Sequence, residues 1–210
     1  MMGVYLILVS ALARPFGAAA QAGFVIGMRV VQALFMPVVA LGFSVAPVAG
    51  QNVGARLGDR VKTVFKEASL MAIGWMLLMA IVCELGPAAL IGVFSTDSDV
   101  LAIGTEYLRI VALTFIFSGL IFVCSSMFQA MGNTLPSLVA SVTRIVVIAI
   151  PAMALSTSTG FRLVWVWYLS AGAVVLQLAI VLLYLRREFR VRLGATVPGG
   201  ARRDVRAFSA

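Results

Sequence analysis

The sequence has no histidine, only two cysteines and only eight acidic residues among its 210. Each shortage removes a class of function. Without an imidazole there is no His-based triad, no His metal ligand and no side chain that ordinarily titrates near neutral pH. Cys83 and Cys124 both sit inside apolar runs, which reads as two neutral packing thiols and not as a disulfide framework or a metal cluster. The acids are Asp59, Glu67, Glu84, Asp97, Asp99, Glu106, Glu188 and Asp204, and none falls in the middle of an apolar run. No carboxylate pair is placed for acid–base work, and no Gly-rich phosphate loop is present. The sequence therefore names no catalytic residue and no metal site, and an enzyme is not expected. Asp97 and Asp99 read as a helix cap or a solvated loop.

Charge of either sign is scarce. Charged residues make up 11% of the chain and hydrophobic ones 62%, with a mean hydropathy of +1.08. A soluble domain carries about 25% charge. The solvent for this much apolar surface must be lipid, and the apolar runs are too long for barrel strands. An all-α polytopic membrane protein follows, because helices satisfy their own backbone groups. The net charge of +8 is read through the distribution of arginine and lysine around membrane helices. No nucleic-acid partner is expected, since aromatic and basic residues do not interleave.

A crossing helix needs about 20 mostly apolar residues. Five runs qualify: 20–50, 64–85, 107–131, 135–155 and 164–185. A shorter run, 1–13, precedes them and stops at Arg14-Pro15; it reads as a helix that has lost its beginning. Eleven of the sixteen basic residues fall in two places. Arg56, Arg60, Lys62 and Lys66 follow the first full run, and the other seven run from Arg186 to Arg206, after the last. Five spans put both clusters on the same side, the cytoplasm. Residues 186–210 read as a basic cytoplasmic tail without enough apolar content to fold.

The first full run contains Pro37 and Pro47, which remove backbone hydrogen bonds and predict kinks. Together with Gly50, Gln51, Asn52 and Gly54 they read as a structural hinge at the inner end of that helix. The two amides satisfy open carbonyls there, and Gly54 permits a tight turn. Two polar stripes suggest a cavity. Thr114, Ser118, Ser125 and Gln129 share one helical face, and so do Arg29, Gln32 and Met36. Helix–helix packing through hydroxyls is the other reading of the first stripe. The candidate substrate-cavity residues are Gln32, Met36, Thr114 and Ser118. Arg29 and Arg144 are expected to snorkel to the membrane faces.

The motifs GFVIGMRV and MPVVALGFSVAPVAGQNVGAR, followed by a basic loop, resemble the multidrug and toxic compound extrusion (MATE) family. PAALIGVFSTDSDVLAIGTEYLRI, SSMFQAMGNTLPS and TRIVVIAIP extend the resemblance to about Leu185. It implies a six-helix lobe, the carboxy-terminal half of a two-lobe transporter, with its first helix truncated. It also implies export of drugs or organic cations by Na+ or H+ antiport from a bacterial inner membrane. A second lobe or a second copy would be the partner within the bilayer. Some members carry an acidic residue in the second lobe near the position of Ser118; here that residue is serine, and the coupling-ion site is not evident. Two other functions stay open: a lipid-linked oligosaccharide flippase of the same superfamily, for which Arg29 and Arg144 are the only cationic candidates, and a non-transporting membrane fragment.

Overall fold

The computed structural model describes residues 17–156 and 163–193. The run 1–13 and the tail beyond residue 193 lie outside the described residues. Seven helices follow one another, and there is no strand among the described residues. They are α1 (Ala18–Gly54), α2 (Gly58–Leu85), α3 (Pro87–Gly92), α4 (Ser98–Ala112), α5 (Phe115–Ala130), α6 (Leu135–Ser156) and α7 (Leu163–Leu193). Helices α1 and α2, together with Trp167–Arg192 of α7, are long and apolar enough to cross a membrane. The bent pair α4–α5 meets the same length and hydropathy when taken together, and α6 is apolar over the shorter stretch Leu135–Ile150. Large apolar side chains on the outside, such as Leu70, Met71, Leu78 and Ile81, have lipid as their natural solvent. The chain is an integral, multi-pass, all-α membrane lobe.

Helix α1 lies at the centre and packs on α2, α4 and α5, while α6 pairs with α7. Its contact face is lined by small residues, which lets neighbouring helices come close. A methyl group on Gly42 would stand 2.4 Å from Phe122 Cε1 and 2.7 Å from Ser126 Oγ. On Gly27 it would stand 2.5 Å from the Tyr107 ring. Both prolines lie inside α1, which continues through them. Pro37 leaves the carbonyl of Ala33 without its helical donor. At the next carbonyl, Leu34 O accepts a hydrogen bond from Trp75 Nε1 of α2 at 3.0 Å.

The C-terminal end of α1 differs from expectation in two respects: the Gln51 side chain bonds no carbonyl among the described residues, and the turn does not rest on Gly54. Asn52 Nδ2 donates to Val48 O at 2.8 Å, and Gln51 O accepts from the Ala55 amide. Gly50 approaches Ala130 at the end of α5. Gly54, however, is the last helical residue, and the left-handed residue of the turn is Arg56, with φ 58°. The amides of Arg56 and Leu57 return to Val53 O and Asn52 O. This bonding closes the helix whichever residue sits at the left-handed position.

The expected span 107–131 is two helices, starting at Ser98 and bent by 57° at Leu113–Thr114. No proline causes the break. The Thr114 amide and its hydroxyl both donate to Val111 O, at 2.9 and 2.7 Å. A threonine side chain that competes for a nearby carbonyl interrupts the regular ladder. At the N-terminus of α4 Asp97 forms the cap, accepting from the amides of Asp99 and Val100 at 2.9 and 3.3 Å.

The tail also differs from expectation, because α7 stays helical through Leu193. Glu188 is the reason. It pairs with Arg192 at 2.9 Å and accepts from Asn133 in the turn between α5 and α6. Arg192 also donates to Met131 O in that turn. Phe65 of α2 meets Phe189 edge-on at 5.7 Å, so the basic residues at the start of α2 and those of 186–192 sit at the same end of the lobe.

The glycine contacts make a paired prediction. Gly42→Val should destabilise the lobe by about 1–3 kcal/mol through overpacking, lowering Tm in detergent by several degrees. Gly74→Ala faces open space and removes a helix-weakening residue, so it should not lower Tm. Thermal unfolding of the two purified variants checks both.

Candidate functional site

A cavity of about 310 Å³ opens where α6 and α7 diverge from α1, α4 and α5. That is the lower end of the range for small-molecule sites, about 300–1,000 Å³. Its walls are mostly apolar and aromatic. Phe24, Tyr107 and Trp167 form an edge-to-face series behind one wall, with ring centroids 5.3 and 5.6 Å apart. The polar groups come from α4, the α4–α5 elbow, α5, α6 and α7.

The helix break places two of them. Thr114, which ends the α4–α5 elbow, is buried, and Ser118 follows one turn later; both line the cavity. Gln32 and Met36 do not line it. They lie on the exposed face of α1 together with Arg29. The α1 residues that do face the cavity are Met28, Val31 and Phe35. These have the same 0, 3, 7 spacing but lie one residue out of phase, which is about 100° around a helix. The four candidate residues therefore divide into two pairs that point to different places. Lower on α5, Ser125 is engaged in packing: its hydroxyl bonds Ser137 of α6 at 2.9 Å. Gln129 is exposed.

Arg144 corrects the sequence reading. It does not snorkel away but lines the cavity. Its Nη1 donates to Gln177 Oε1 of α7 at 3.4 Å. Gln177 Nε2 donates in turn to Ser141 Oγ at 3.4 Å, and Ser141 donates to the backbone of Ser137 at 2.9 Å. This chain of bonds ties α6 to α7. Gln177 is only 6% exposed, so its amide orients the guanidinium from inside the lobe.

Sequence reasoning missed Gln177, Ser141, Ser170 and Trp167. A signal existed. Ser170, Val174 and Gln177 share a face of α7, and Ser141, Arg144 and Ile148 share a face of α6. A lone amide inside an apolar span is the mark that could have drawn attention to them. Trp167 carries a further feature: its Nε1 is buried with no hydrogen-bond partner among the described residues. No cluster of His, Cys, Asp or Glu suited to a metal ion occurs among the described residues.

The fold and site together define a membrane lobe with a largely apolar cavity that carries a few polar groups. Comparison with known proteins gives the family. The chain belongs to the MatE family, whose model matches residues 1–155. It is 30% identical over 168 residues to "Probable multidrug resistance protein YoeA" of Bacillus subtilis, covering 78% of this chain and 36% of that protein. It is 25% identical over 123 residues to "Probable multidrug resistance protein NorM" of Thermotoga maritima, covering 59% of this chain and 26% of that protein. Among solved structures, it resembles an outward-facing conformation of a multidrug resistance MATE family transporter of the MOP superfamily. The TM-score is 0.83 at 18% identity, over 91% of this chain and 43% of that one. The chain thus spans well under half the length of the relatives it matches.

The hydrogen-bonded chain across the cavity makes a prediction. Gln177→Leu removes the bridge between Arg144 and Ser141, and each buried hydrogen bond to a charged group is worth about 1.5–3 kcal/mol. Tm in detergent should fall by several degrees. Gln177→Glu keeps the acceptor towards Arg144 and should lose less.

Proposed function

We propose that this chain is one lobe of a two-lobe multidrug exporter and works by alternating access. The observation that carries the reading is a cavity with a few polar groups inside a lobe whose outer surface is made for lipid. A broken helix beside a cavity suits a lobe that rocks against a partner. The partner would be a companion lobe or a second copy of this chain. The exposed α1 face with Gln32 and Met36 is where such a partner would complete a larger central cavity. Drugs, including organic cations, would pass there.

The coupling ion would be Na+ or H+. A coupling group inside a membrane protein is usually a carboxylate, and no described acidic residue lines the cavity of this lobe. The carboxylate would then come from the partner lobe. The two basic clusters at one end of the fold support a cytoplasmic carboxy terminus, in the inner membrane of a bacterium.

Arg144 in the cavity supports, to a degree, a second reading as a flippase for lipid-linked oligosaccharides. A single guanidinium in about 310 Å³ suits one small anionic group better than a pyrophosphate with its sugars. A non-transporting fragment is the third reading, and the same assay separates it.

Ethidium efflux tests the proposal, measured in cells that express this chain alone and with a companion lobe. Efflux above the empty-vector rate in either arm is expected. No efflux in both arms, with the chain present in the membrane, would remove transport. Where efflux occurs, Ser118→Trp fills the cavity and should cut the rate at least fivefold at equal expression. An unchanged rate would place Ser118 in helix packing.

A further inference from the structure

We propose that a groove on the surface of the α6–α7 pair is a binding site for one anionic glycerophospholipid. The groove shares no residue with the cavity described above, and the inference does not rest on the exporter reading.

Three observations lead to it. The first is shape. Leu135, Val139 and Thr143 recur every four residues on one face of α6. Ile180, Tyr184, Arg187 and Val191 share one face of α7, and the two helices pack on each other. Two hollows of about 410 and 470 Å³ lie between these faces, and both are lined by Val139, Tyr184 and Arg187, so they form one groove. From Ile180 to Val191 it runs about 16 Å. That is on the scale of one leaflet of a bilayer whose hydrocarbon is about 30 Å thick. The second is the polarity gradient along it. At one end stand Ile180, Leu183 and Val139, with Thr143, whose hydroxyl is spent on Val139 O at 2.9 Å. At the other stand Asn133, Arg187 and Glu188. Tyr184 lies between them, an aromatic ring with a polar tip of the kind that settles at a water–hydrocarbon boundary. A phospholipid standing in its leaflet has the same gradient. The third is charge. Glu188 is the one acid lining the groove among the described residues, and it is committed to Arg192 at 2.9 Å and to Asn133. Arg187 is exposed and has no ion pair or hydrogen bond among the described residues. Arg186 and Arg190 beside it are exposed as well. The headgroup end is therefore positive, which favours an anionic lipid over a zwitterionic one.

Arg187 has a defined part in this arrangement. Its planar fork can meet a lipid phosphate through two parallel hydrogen bonds. It also separates a built groove from general attraction to basic residues. Arg187 and Phe189 are two residues apart, about 200° around a helix. Phe189 meets Phe65 of α2, so Arg187 points away from the basic cluster that includes Arg60. Diffuse attraction would count Arg60 and Arg187 alike, whereas the groove counts Arg187 alone. A lipid held there touches both α6 and α7, and a ligand that binds only the folded pair stabilises it.

The test uses the full chain in neutral detergent, titrated separately with dioleoyl phosphatidylglycerol and dioleoyl phosphatidylcholine. Native mass spectrometry counts the first lipid bound. The Kd for phosphatidylglycerol should lie below that for phosphatidylcholine by about fivefold, the worth of one basic side chain beside anionic lipid. Arg187→Gln should remove that preference. Val139→Trp fills the groove and should weaken both lipids several-fold. Arg60→Gln should leave the phosphatidylglycerol Kd within twofold. Equal Kd values for the two lipids in the parent chain would overturn the proposal. So would Val139→Trp without effect, or a loss in Arg60→Gln as large as that in Arg187→Gln. Val139 and Arg187 are exposed, so both variants should fold, and if either does not, the parent chain and the other variant still decide. Glycerol 3-phosphate should not bind at the same concentrations; binding as tight as phosphatidylglycerol would assign the groove to a free phosphate and overturn the lipid reading. A dimer that Val139→Trp dissociates, with no lipid preference, would give the groove to a second copy and overturn it too. Because binding is read without transport, a chain that prefers the anionic lipid but expels no ethidium refutes only the exporter reading. Efflux without that preference refutes only this one.

Discussion

Hydrocarbon cannot hydrogen-bond, and the whole lobe is organised around that fact. Every described element is helical because only a helix closes its own backbone bonds within a single segment. The same solvent removes the usual drive for association, since lipid tails are as apolar as leucine. Helices must then be held by close packing and by the few polar bonds that can be sheltered. Both devices occur here, in different halves. Gly27 and Gly42 let α1 press against Tyr107 of α4 and Phe122 of α5. The α6–α7 pair depends more on side-chain bonds: Gln177 to Ser141 at 3.4 Å, and Glu188 and Arg192 to the turn that leads into α6.

The cavity follows from this division. It lies between the half sealed by glycines and the half tied by polar bonds, where neither device closes the gap. The Thr114 break keeps α4 and α5 from forming one straight rod along its wall. The arginine that would be an anomaly in a lipid-facing position lies at the cavity instead, held by an amide from the opposing helix. Placement of one charged side chain thus depends on the bend in one helix and on the register of two others.

Much of the architecture could be read from the sequence because hydropathy over long windows reports solvent directly. The helical class and the apolar crossings both come from that signal. The details it misses are those decided by local competition. Thr114 looks like one more residue of a span until its hydroxyl takes the Val111 carbonyl. Glu188 and Arg192 look like part of a charged tail until Asn133 supplies a partner from a distant turn. Periodicity found polar faces on α1 and α5, but it carries no information on which face of one helix opposes which face of another. Thr114 and Ser118 reached the cavity while Gln32 and Met36 turned outward. Arg144 was visible as a charge in a span, yet its partner Gln177 is 33 residues away, and only the fold brings them together.

The glycine seam on α1 has a consequence for anyone altering this protein. Stability engineering of membrane proteins tends to reward added carbon, since larger apolar side chains score as better suited to lipid. At Gly27 and Gly42 that guidance inverts, because the space a methyl group needs is occupied by an aromatic ring. A substitution scored as more membrane-compatible would pry the central helix from its neighbours. Redesign of this lobe should therefore treat the smallest residues of α1 as its least replaceable ones.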